Sequence, residues 1–230
     1  MLRSYSVGEA DKIVVLISPN RGKLRTVAKG VRKTKSRFGG RLETLTHVEL
    51  VLYEGKNLDT ITQVSIVEAF PTLRQHLDRV VTAGTMIEIA DVVAQEDEPA
   101  RQLFLLLQRG LRALDGVEPH PDLLTAYLLK AAAIIGVAPA LEHCAGCGAA
   151  DGLTRFSFAA GGALCDRCRT PGSYALRVGV TEYLAAAASA DLSALPDADP
   201  TMTGEAMGVT RRFVEYHLER RLDSMVLLDV

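Results

Sequence analysis

The chain has 230 residues, of which 48% are hydrophobic, and its formal net charge is -2. A chain of this length can bury a core, and we expect two or three modules. The longest uncharged apolar run, eleven residues from Ala131, is too short to span a bilayer, which argues against a membrane protein and favours a cytoplasmic one.

Residues 1–70 are predicted to form a small β-domain. Short runs rich in apolar and β-branched residues alternate with Gly, Pro and Asn turn signals, a pattern typical of a small barrel or sandwich. The four predicted strands cover residues 13–17, 24–28, 47–53 and 60–70.

Residues 21–41, which we call the basic segment, contain nine basic residues and no acidic one. The first 41 residues carry a net charge of +9 and the remainder carries -11. Such asymmetry favours a nucleic-acid partner. A solvated surface is the alternative, but it usually mixes both signs of charge. The predicted nucleic-acid-binding residues are Arg21, Lys23, Arg25, Lys29, Arg32, Lys33, Lys35, Arg37 and Arg41.

After residue 70 the apolar residues follow a helical period. The third predicted helix is apolar on nearly every side, so we expect it at the centre of a helical core. An Asp- and Pro-rich stretch, residues 191–204, is predicted to be a long loop. The predicted helices cover about residues 73–90, 99–114, 121–136 and 204–224.

All four cysteines belong to two C-x-x-C motifs separated by seventeen residues. The spacing is that of a four-cysteine zinc site, in which four thiolates complete a tetrahedron and leave no open position for water. Two disulfides and redox-active thiols are the alternatives, which a reducing cytosol and the use of every cysteine disfavour. We therefore predict one structural zinc ion, bound by Cys144, Cys147, Cys165 and Cys168.

The sequence offers no recognisable catalytic arrangement. Gly22 and Lys23 lack the upstream glycine of a phosphate-binding loop, and the H-E-x-x-H, G-x-S-x-G and G-x-G-x-x-G motifs are missing. The acidic run at residues 95–99 is interpreted as a capping and solubilising cluster. We therefore predict a protein that is not an enzyme.

Several stretches in this order resemble the bacterial recombination mediator family RecO. The stretch VGEADKIVVLISPNRGKLRTVAKGVRKTKSRFGG from Val7 is similar to the start of that family. LLTAYLLKAAAIIGVAPALEHCAGCG and FSFAAGGALCDRC resemble its central segment and zinc module, and FVEYHLERRLDSMVLL resembles its closing helix. The resemblance extends over nearly the whole chain.

The resemblance implies an α+β fold, with an N-terminal OB-fold β-barrel followed by a helical domain that carries a four-cysteine zinc module. The OB-fold would be residues 1–70 and would bind nucleic acid. The helical domain would be residues 71–143 and 169–230, with the zinc module, residues 144–168, inserted in it.

The resemblance also implies a function without catalytic turnover. RecO-like proteins bind single- and double-stranded DNA and anneal complementary strands. With RecR they help to load RecA onto single-stranded DNA coated by single-stranded-DNA-binding protein (SSB), during recombinational repair in the cytoplasmic nucleoid. The acidic C-terminal tail of SSB would lie in a groove of the helical domain. Candidate basic residues at its rim are Arg101, Arg109, Arg112 and Lys130.

Two other functions stay open at this stage. One is an interaction protein, stabilised by zinc, that binds an acidic partner through the basic segment. The other is a metal-dependent nucleic-acid enzyme, which would need an open metal site. Aromatic residues make up 5% of the chain, with no tryptophan, and only Tyr5, Phe38 and Tyr53 were expected near the charges. We therefore expect phosphate contact to outweigh base stacking.

Overall fold

A computed structural model describes residues 1–36 and 38–228 of the chain. Arg37, one of the predicted nucleic-acid-binding residues, lies outside the described residues. The chain forms two compact units, Met1–Gly116 and Val117–Val230. No helix among the described residues is long and apolar enough to cross a membrane.

The first unit contains a five-stranded sheet with the strand order β1-β2-β3-β5-β4. Neighbouring strands are antiparallel except for β3 and β5, which pair in parallel. This is the connectivity of an OB-fold, a barrel that is partly open. No ladder joins β1 to β4 within the described chain, so the sheet is not closed. The strands are β1 (Arg3–Val7), β2 (Asp11–Ser18), β3 (Gly22–Ala28), β4 (His47–Tyr53) and β5 (Asp59–Glu68).

The barrel core follows from the alternation of side chains along each strand. In β3, Thr26 and Ala28 are buried, whereas Arg25, which precedes Thr26 and points to the other face of the strand, is exposed. The Thr26 hydroxyl donates a hydrogen bond to the Val14 carbonyl, which satisfies this buried polar group. The other buried core residues are Leu16, Phe38, Leu42, Ile61 and Val64.

Two helices complete the first unit, α1 (Leu77–Val93) and α2 (Arg101–Asp115), which pack against each other. The apolar stripe predicted for α2 is confirmed as a buried face. Its buried leucines are Leu103, Leu106, Leu107, Leu111 and Leu114.

The second unit combines three helices with a three-stranded sheet of order β7-β6-β8. Helix α3 is buried along almost its whole length and packs against both α4 and α5, as its uniformly apolar sequence predicted. The elements are α3 (Leu123–Ile134), β6 (Leu153–Ser157), β7 (Gly162–Cys165), β8 (Tyr174–Ala175), α4 (Val180–Ser189) and α5 (Pro200–His217).

The α+β fold class is confirmed, but several elements differ from the predicted ones. Strands β1, β6, β7 and β8 and helix α4 were not predicted. Helix α5 begins at Pro200, inside the stretch that was predicted to be a loop, and ends at His217, before a short 3-10 helix. Asp199 explains this start, because its Oδ1 accepts the backbone N–H groups of Thr201 and Met202 at 2.9 and 3.1 Å and Pro200 fits the first helical position.

Candidate nucleic-acid interface and metal centre

The basic segment occupies the β2–β3 turn, strand β3 and the loop that leads towards β4. Arg21 lies in the turn, and Lys23 and Arg25 project from the same side of β3 because they are two residues apart. The remaining predicted residues follow the strand in residues 29–41, which we call the basic loop.

The basic loop is attached to the barrel at both ends. At its start, the Gly30 N–H donates to Asp11 Oδ1 at 2.7 Å and the Arg32 N–H donates to the Ala10 carbonyl at 2.9 Å. At its end, Phe38 is 1% exposed, and it packs in the barrel core with Leu42. The loop therefore presents its charges from a fixed base rather than from a free chain.

Four described cations of the basic loop are available to a ligand. The side chains of Lys29, Arg32, Lys33 and Lys35 are exposed, and among the described residues none of the four forms an ion pair with a carboxylate. Arg32 Nη1 donates a weak hydrogen bond of 3.2 Å to the Gly8 carbonyl. Arg41 is also exposed and lies in a short 3-10 helix, Gly39–Arg41.

The cations of the turn and strand are engaged inside the first unit. Arg21 Nη1 lies 2.9 Å from Asp59 Oδ2, and this hydrogen bond lowers the pKa of Asp59. The Lys23 amine donates to the Asp91 carbonyl and lies 3.5 Å from the Asp91 carboxylate, with its side chain only 19% exposed.

Arg25 differs from these two because its partner carries no charge. Its Nη2 donates to the Tyr5 hydroxyl at 2.9 Å, and the residue is exposed. The structure thus separates the four exposed cations of the basic loop from Arg21 and Lys23, whose charges already have acidic partners, while Arg25 contacts a neutral hydroxyl. All nine residues stay predictions for nucleic-acid binding.

The four cysteines meet in the second unit. Their sulfur atoms all lie within 4.8 Å of one another, and the Cys147 and Cys165 sulfurs are 3.8 Å apart. Four sulfurs placed about 2.3 Å from one metal ion form a tetrahedron with edges of about 3.8 Å, so the cluster fits a metal ion. The cysteines are free thiols, which disfavours the alternative of two disulfides.

Local backbone geometry positions these thiols. The first two lie in a turn closed by hydrogen bonds of 2.8 Å, from the Cys144 N–H to the Ala149 carbonyl and from the Gly148 N–H to the Cys144 carbonyl. Cys165 ends β7, and Cys168 lies in the short 3-10 helix that follows. A side chain at Gly146 would place its Cβ only 3.0 Å from the Cys168 Cβ, so glycine permits the two C-x-x-C motifs to approach.

The pKa of the Cys144 thiol is lowered, whereas that of the Cys168 thiol is raised. The Cys165 N–H donates to the Cys144 sulfur at 3.4 Å, and backbone donors of this kind lower the pKa of Cys144 to about 6. Hydrogen bonding with the Cys147 thiol and the other two thiols raises the pKa of Cys168 to about 12. Four thiolates at this spacing repel one another, so a cation is needed to hold all four in the charged form.

This cluster also bears on the possibility of a metal-dependent enzyme. Within residues 1–36 and 38–228, it is the only group of three or more His, Cys, Asp or Glu side chains placed to hold a metal ion. Four protein ligands leave no coordination position for a substrate or a reactive water, which favours a structural role over a catalytic one.

Sequence reasoning missed two features of the surface. Asp91 of α1 accepts Arg3 Nε at 2.6 Å and also pairs with Lys23, a long-range contact for which the sequence carries no signal. In the second unit, Phe158, Tyr174 and Tyr216 form an aromatic cluster beside Arg212. These residues come from separate segments, so no local motif could have revealed them.

The fold and these sites define the class: an OB-fold protein with a basic loop anchored at Gly30, Arg32 and Phe38 and a four-cysteine metal-binding module. Two family models match the chain, "Recombination protein O N terminal" over residues 1–70 and "Recombination protein O C terminal" over residues 74–225. The chain therefore belongs to the RecO family, as the sequence predicted.

Curated relatives agree with this assignment. The chain is 44% identical over 235 residues to a protein named DNA repair protein RecO from Nocardioides sp., covering 100% of this chain and 96% of the relative. It is 39% identical over 232 residues to a protein of the same name from Frankia casuarinae, with the same two coverages. The family is one of DNA repair proteins rather than of enzymes, which agrees with the prediction of a non-enzymatic protein.

Proposed function

We propose that this chain is a non-enzymatic mediator of recombinational DNA repair, which binds single- and double-stranded DNA through the basic loop of its OB-fold. One observation carries the proposal: the four exposed cations Lys29, Arg32, Lys33 and Lys35 project from an anchored loop and have no acidic partner among the described residues. Phosphate groups are the ligands that such unpaired cations favour.

Contact with the DNA backbone explains how one surface can bind DNA of many different sequences. Phosphate contacts position a protein on nucleic acid but carry no direct sequence information. Phe38, the aromatic residue within the basic segment, is buried in the barrel core and cannot stack on a base. The basic loop therefore binds strands of any sequence, which is what a repair mediator requires.

Strand annealing is proposed from the same chemistry, and RecA loading is proposed from membership of the RecO family. A protein that neutralises phosphates lowers the repulsion between two complementary strands and so promotes their pairing. Through RecR, the chain would help RecA to replace SSB on single-stranded DNA. We accordingly propose that the protein acts in the cytoplasm at the nucleoid.

The SSB tail is the proposed ligand of basic side chains on the helices. Its terminal carboxylate needs a cationic partner once it leaves water. Arg101 and Arg109 on α2 are exposed, whereas Arg112 Nε already lies 2.6 Å from Glu68 and the Lys130 amine donates to the Ala188 carbonyl at 2.7 Å. Arg101 and Arg109 are therefore the better candidates of the four.

The metal of the four-cysteine cluster is proposed to be zinc, one ion per chain. Zinc combines a preference for thiolate ligands with the tetrahedral geometry that the sulfur spacing fits. When bound, the ion supplies a cross-link between the turn after α3 and the end of β7. The backbone donors around Cys144 favour the thiolate that this role needs.

DNA binding at low salt separates this function from that of an interaction protein with an acidic partner. The purified protein is mixed with a labelled single strand of random sequence, and the anisotropy of the label is followed. We expect binding at micromolar protein or below, with no preference among sequences of equal length. If the chain is instead an interaction protein, the labelled strand should not bind. Absence of binding would contradict the proposed function.

A further inference from the structure

Three aromatic rings of the second unit form a cluster. The ring centroids of Phe158 and Tyr174 are 5.5 Å apart, and those of Phe158 and Tyr216 are 6.1 Å apart with the planes inclined by 31°. Phe158 follows β6, Tyr174 begins β8, and Tyr216 lies near the end of α5. The fold thus brings three separate segments together at one surface.

Two buried rings support this cluster from beneath. Phe156 and Phe213 are each 1% exposed, and they meet edge to face with centroids 5.8 Å apart. Phe156 also contacts Phe158 at 5.8 Å and Tyr174 at 6.1 Å. Because packed rings already fix the positions of these side chains, binding a ligand costs little conformational entropy.

The upper part of the cluster remains accessible to solvent. Tyr216 is 50% exposed, although a tyrosine buries a large apolar area when it packs fully. The Tyr174 hydroxyl, by contrast, is buried with no hydrogen-bond partner among the described residues. A half-exposed ring and an unsatisfied buried hydroxyl, both in contact with Phe158 through their rings, are unusual for a completed core.

Arg212 lies over the rings and adds a positive charge. Its guanidinium carbon is 5.1 Å from the Tyr174 centroid and 5.8 Å from the Phe158 centroid, and its Nε donates to the Gly208 carbonyl at 2.9 Å. The residue is exposed and forms no ion pair with a carboxylate in the described part of the chain. Arg212 and Tyr216 are four residues apart on α5 and therefore share one face of that helix, where a flat cation can stack on a base and pair with its phosphate.

We propose that this surface, formed by Tyr216, Arg212 and the rings beneath them, binds an unpaired base of single-stranded DNA. The base stacks on the exposed Tyr216 ring and the Arg212 guanidinium, and the guanidinium pairs with the adjoining phosphate. This inference rests on the proposed function, because it assumes a DNA ligand. It adds the base contact that the basic loop lacks.

The Arg212 guanidinium favours a nucleic acid over an apolar peptide. An apolar peptide would leave the Arg212 guanidinium desolvated and unpaired, which costs free energy. A base with its phosphate satisfies both the apolar ring and the cation. In duplex DNA the bases are already stacked, so the site would distinguish single strands from double strands.

A cycle of two tyrosine variants and three DNA ligands tests the proposal. Tyr216→Ala removes the ring, and Tyr216→Phe keeps it as the matched control. Each protein is titrated with an oligothymidylate, with an abasic strand of the same length and with a duplex. We expect Tyr216→Ala to weaken binding of the oligothymidylate about fivefold or more and to change the other two affinities less than about twofold. Tyr216→Phe should bind all three ligands as the wild type does.

The other outcomes contradict the proposal. Equal losses for all three ligands would mean that the alanine variant is damaged or that Tyr216 acts without contacting bases. No loss for any ligand would mean that an acidic or apolar peptide, or no ligand, occupies the surface. If the wild type binds none of the three ligands, the proposed function is wrong. If the wild type binds the oligothymidylate and the abasic strand equally well, only the base-stacking site is wrong.

A fluorescent reporter gives an independent measurement. The chain contains no tryptophan, so Tyr216→Trp introduces a single indole at the site. Stacking on a base should quench its emission when oligothymidylate is added and should leave it unchanged when the abasic strand is added. Val178→Trp, at a residue of the same unit that is 94% exposed, is the control and should show no quenching with either strand.

Discussion

The sulfur atoms of Cys147 and Cys165 lie 3.8 Å apart, the edge length of a four-sulfur tetrahedron around a zinc ion. Seventeen residues separate them in sequence, so the fold has to bring the two C-x-x-C motifs together. Gly146 favours the approach, because the Cβ of any other residue there would lie only 3.0 Å from the Cys168 Cβ.

The first prediction concerns the metal content. Protein purified without chelators should contain about one zinc ion per chain, and Cys147→Ser should lose most of it and lower the melting temperature, because the metal cross-links a small module. Ala145→Ser, at an exposed position of the same turn, should keep the ion. Elemental analysis and thiol titration are the measurements. Four titratable thiols in a folded, zinc-poor wild type would contradict the metal site.

The second prediction concerns the loop anchor. Phe38 is 1% exposed in the barrel core, so Phe38→Ala should lower the free energy of unfolding by about 3 kcal/mol or more. Phe38→Leu fills part of the same space and should cost less. Denaturant unfolding of the three proteins measures these differences. An alanine variant as stable as the wild type would show that the loop is not held by this side chain.

The third prediction separates two lysines of the basic segment. Lys23 pairs with Asp91, whereas Lys33 is exposed and forms no ion pair among the described residues. Lys23→Gln should reduce the free energy of unfolding by roughly 1 kcal/mol and change DNA affinity little. Lys33→Gln should weaken DNA binding and leave the free energy of unfolding nearly unchanged. The account of the strand cations is wrong if both variants lose DNA affinity equally and keep full stability.

Part of this architecture could be predicted from sequence and part could not. Strands β2 to β5 contain the runs of apolar and β-branched residues that predict strands, and the cysteine spacing alone indicates a shared metal site. Strand β1, with the sequence RSYSV, is mostly polar and exposed, so its strand character arises from pairing with β2. The contact of Lys23 with Asp91 and the rings around Arg212 depend on tertiary packing, which no local pattern records.

The fourth prediction concerns pH and the start of α5. Hydrogen bonds from the Met202 and Thr201 N–H groups lower the pKa of Asp199. A carboxylate with a lowered pKa stabilises the fold above its ordinary pKa, and this contribution disappears as the pH falls through the lowered value. Asp199→Asn keeps a capping oxygen but does not titrate, so the stability of the wild type should fall relative to that of this variant below about pH 4.

Thermal unfolding between about pH 2.5 and pH 7 provides this comparison, with Asp199→Ala as the variant that lacks a cap. The alanine variant should melt about 2 to 4 °C below the wild type at neutral pH. A constant difference between wild type and Asp199→Asn across the whole pH range would contradict the proposed role of the carboxylate charge.

The most direct test of DNA binding by the basic loop is the salt dependence of affinity for single strands. About four to six phosphate contacts predict a slope of about -3 to -4 for the logarithm of the association constant against the logarithm of salt concentration. Lys33→Glu combined with Lys35→Glu should weaken binding and flatten the slope by about 1.4, because each lost contact removes about 0.7. Arg101→Glu combined with Arg109→Glu changes the net charge equally from exposed positions on α2, and it should keep a slope close to that of the wild type. The account is contradicted if the loop variant retains the affinity and slope of the wild type, or if the α2 variant loses as much as the loop variant.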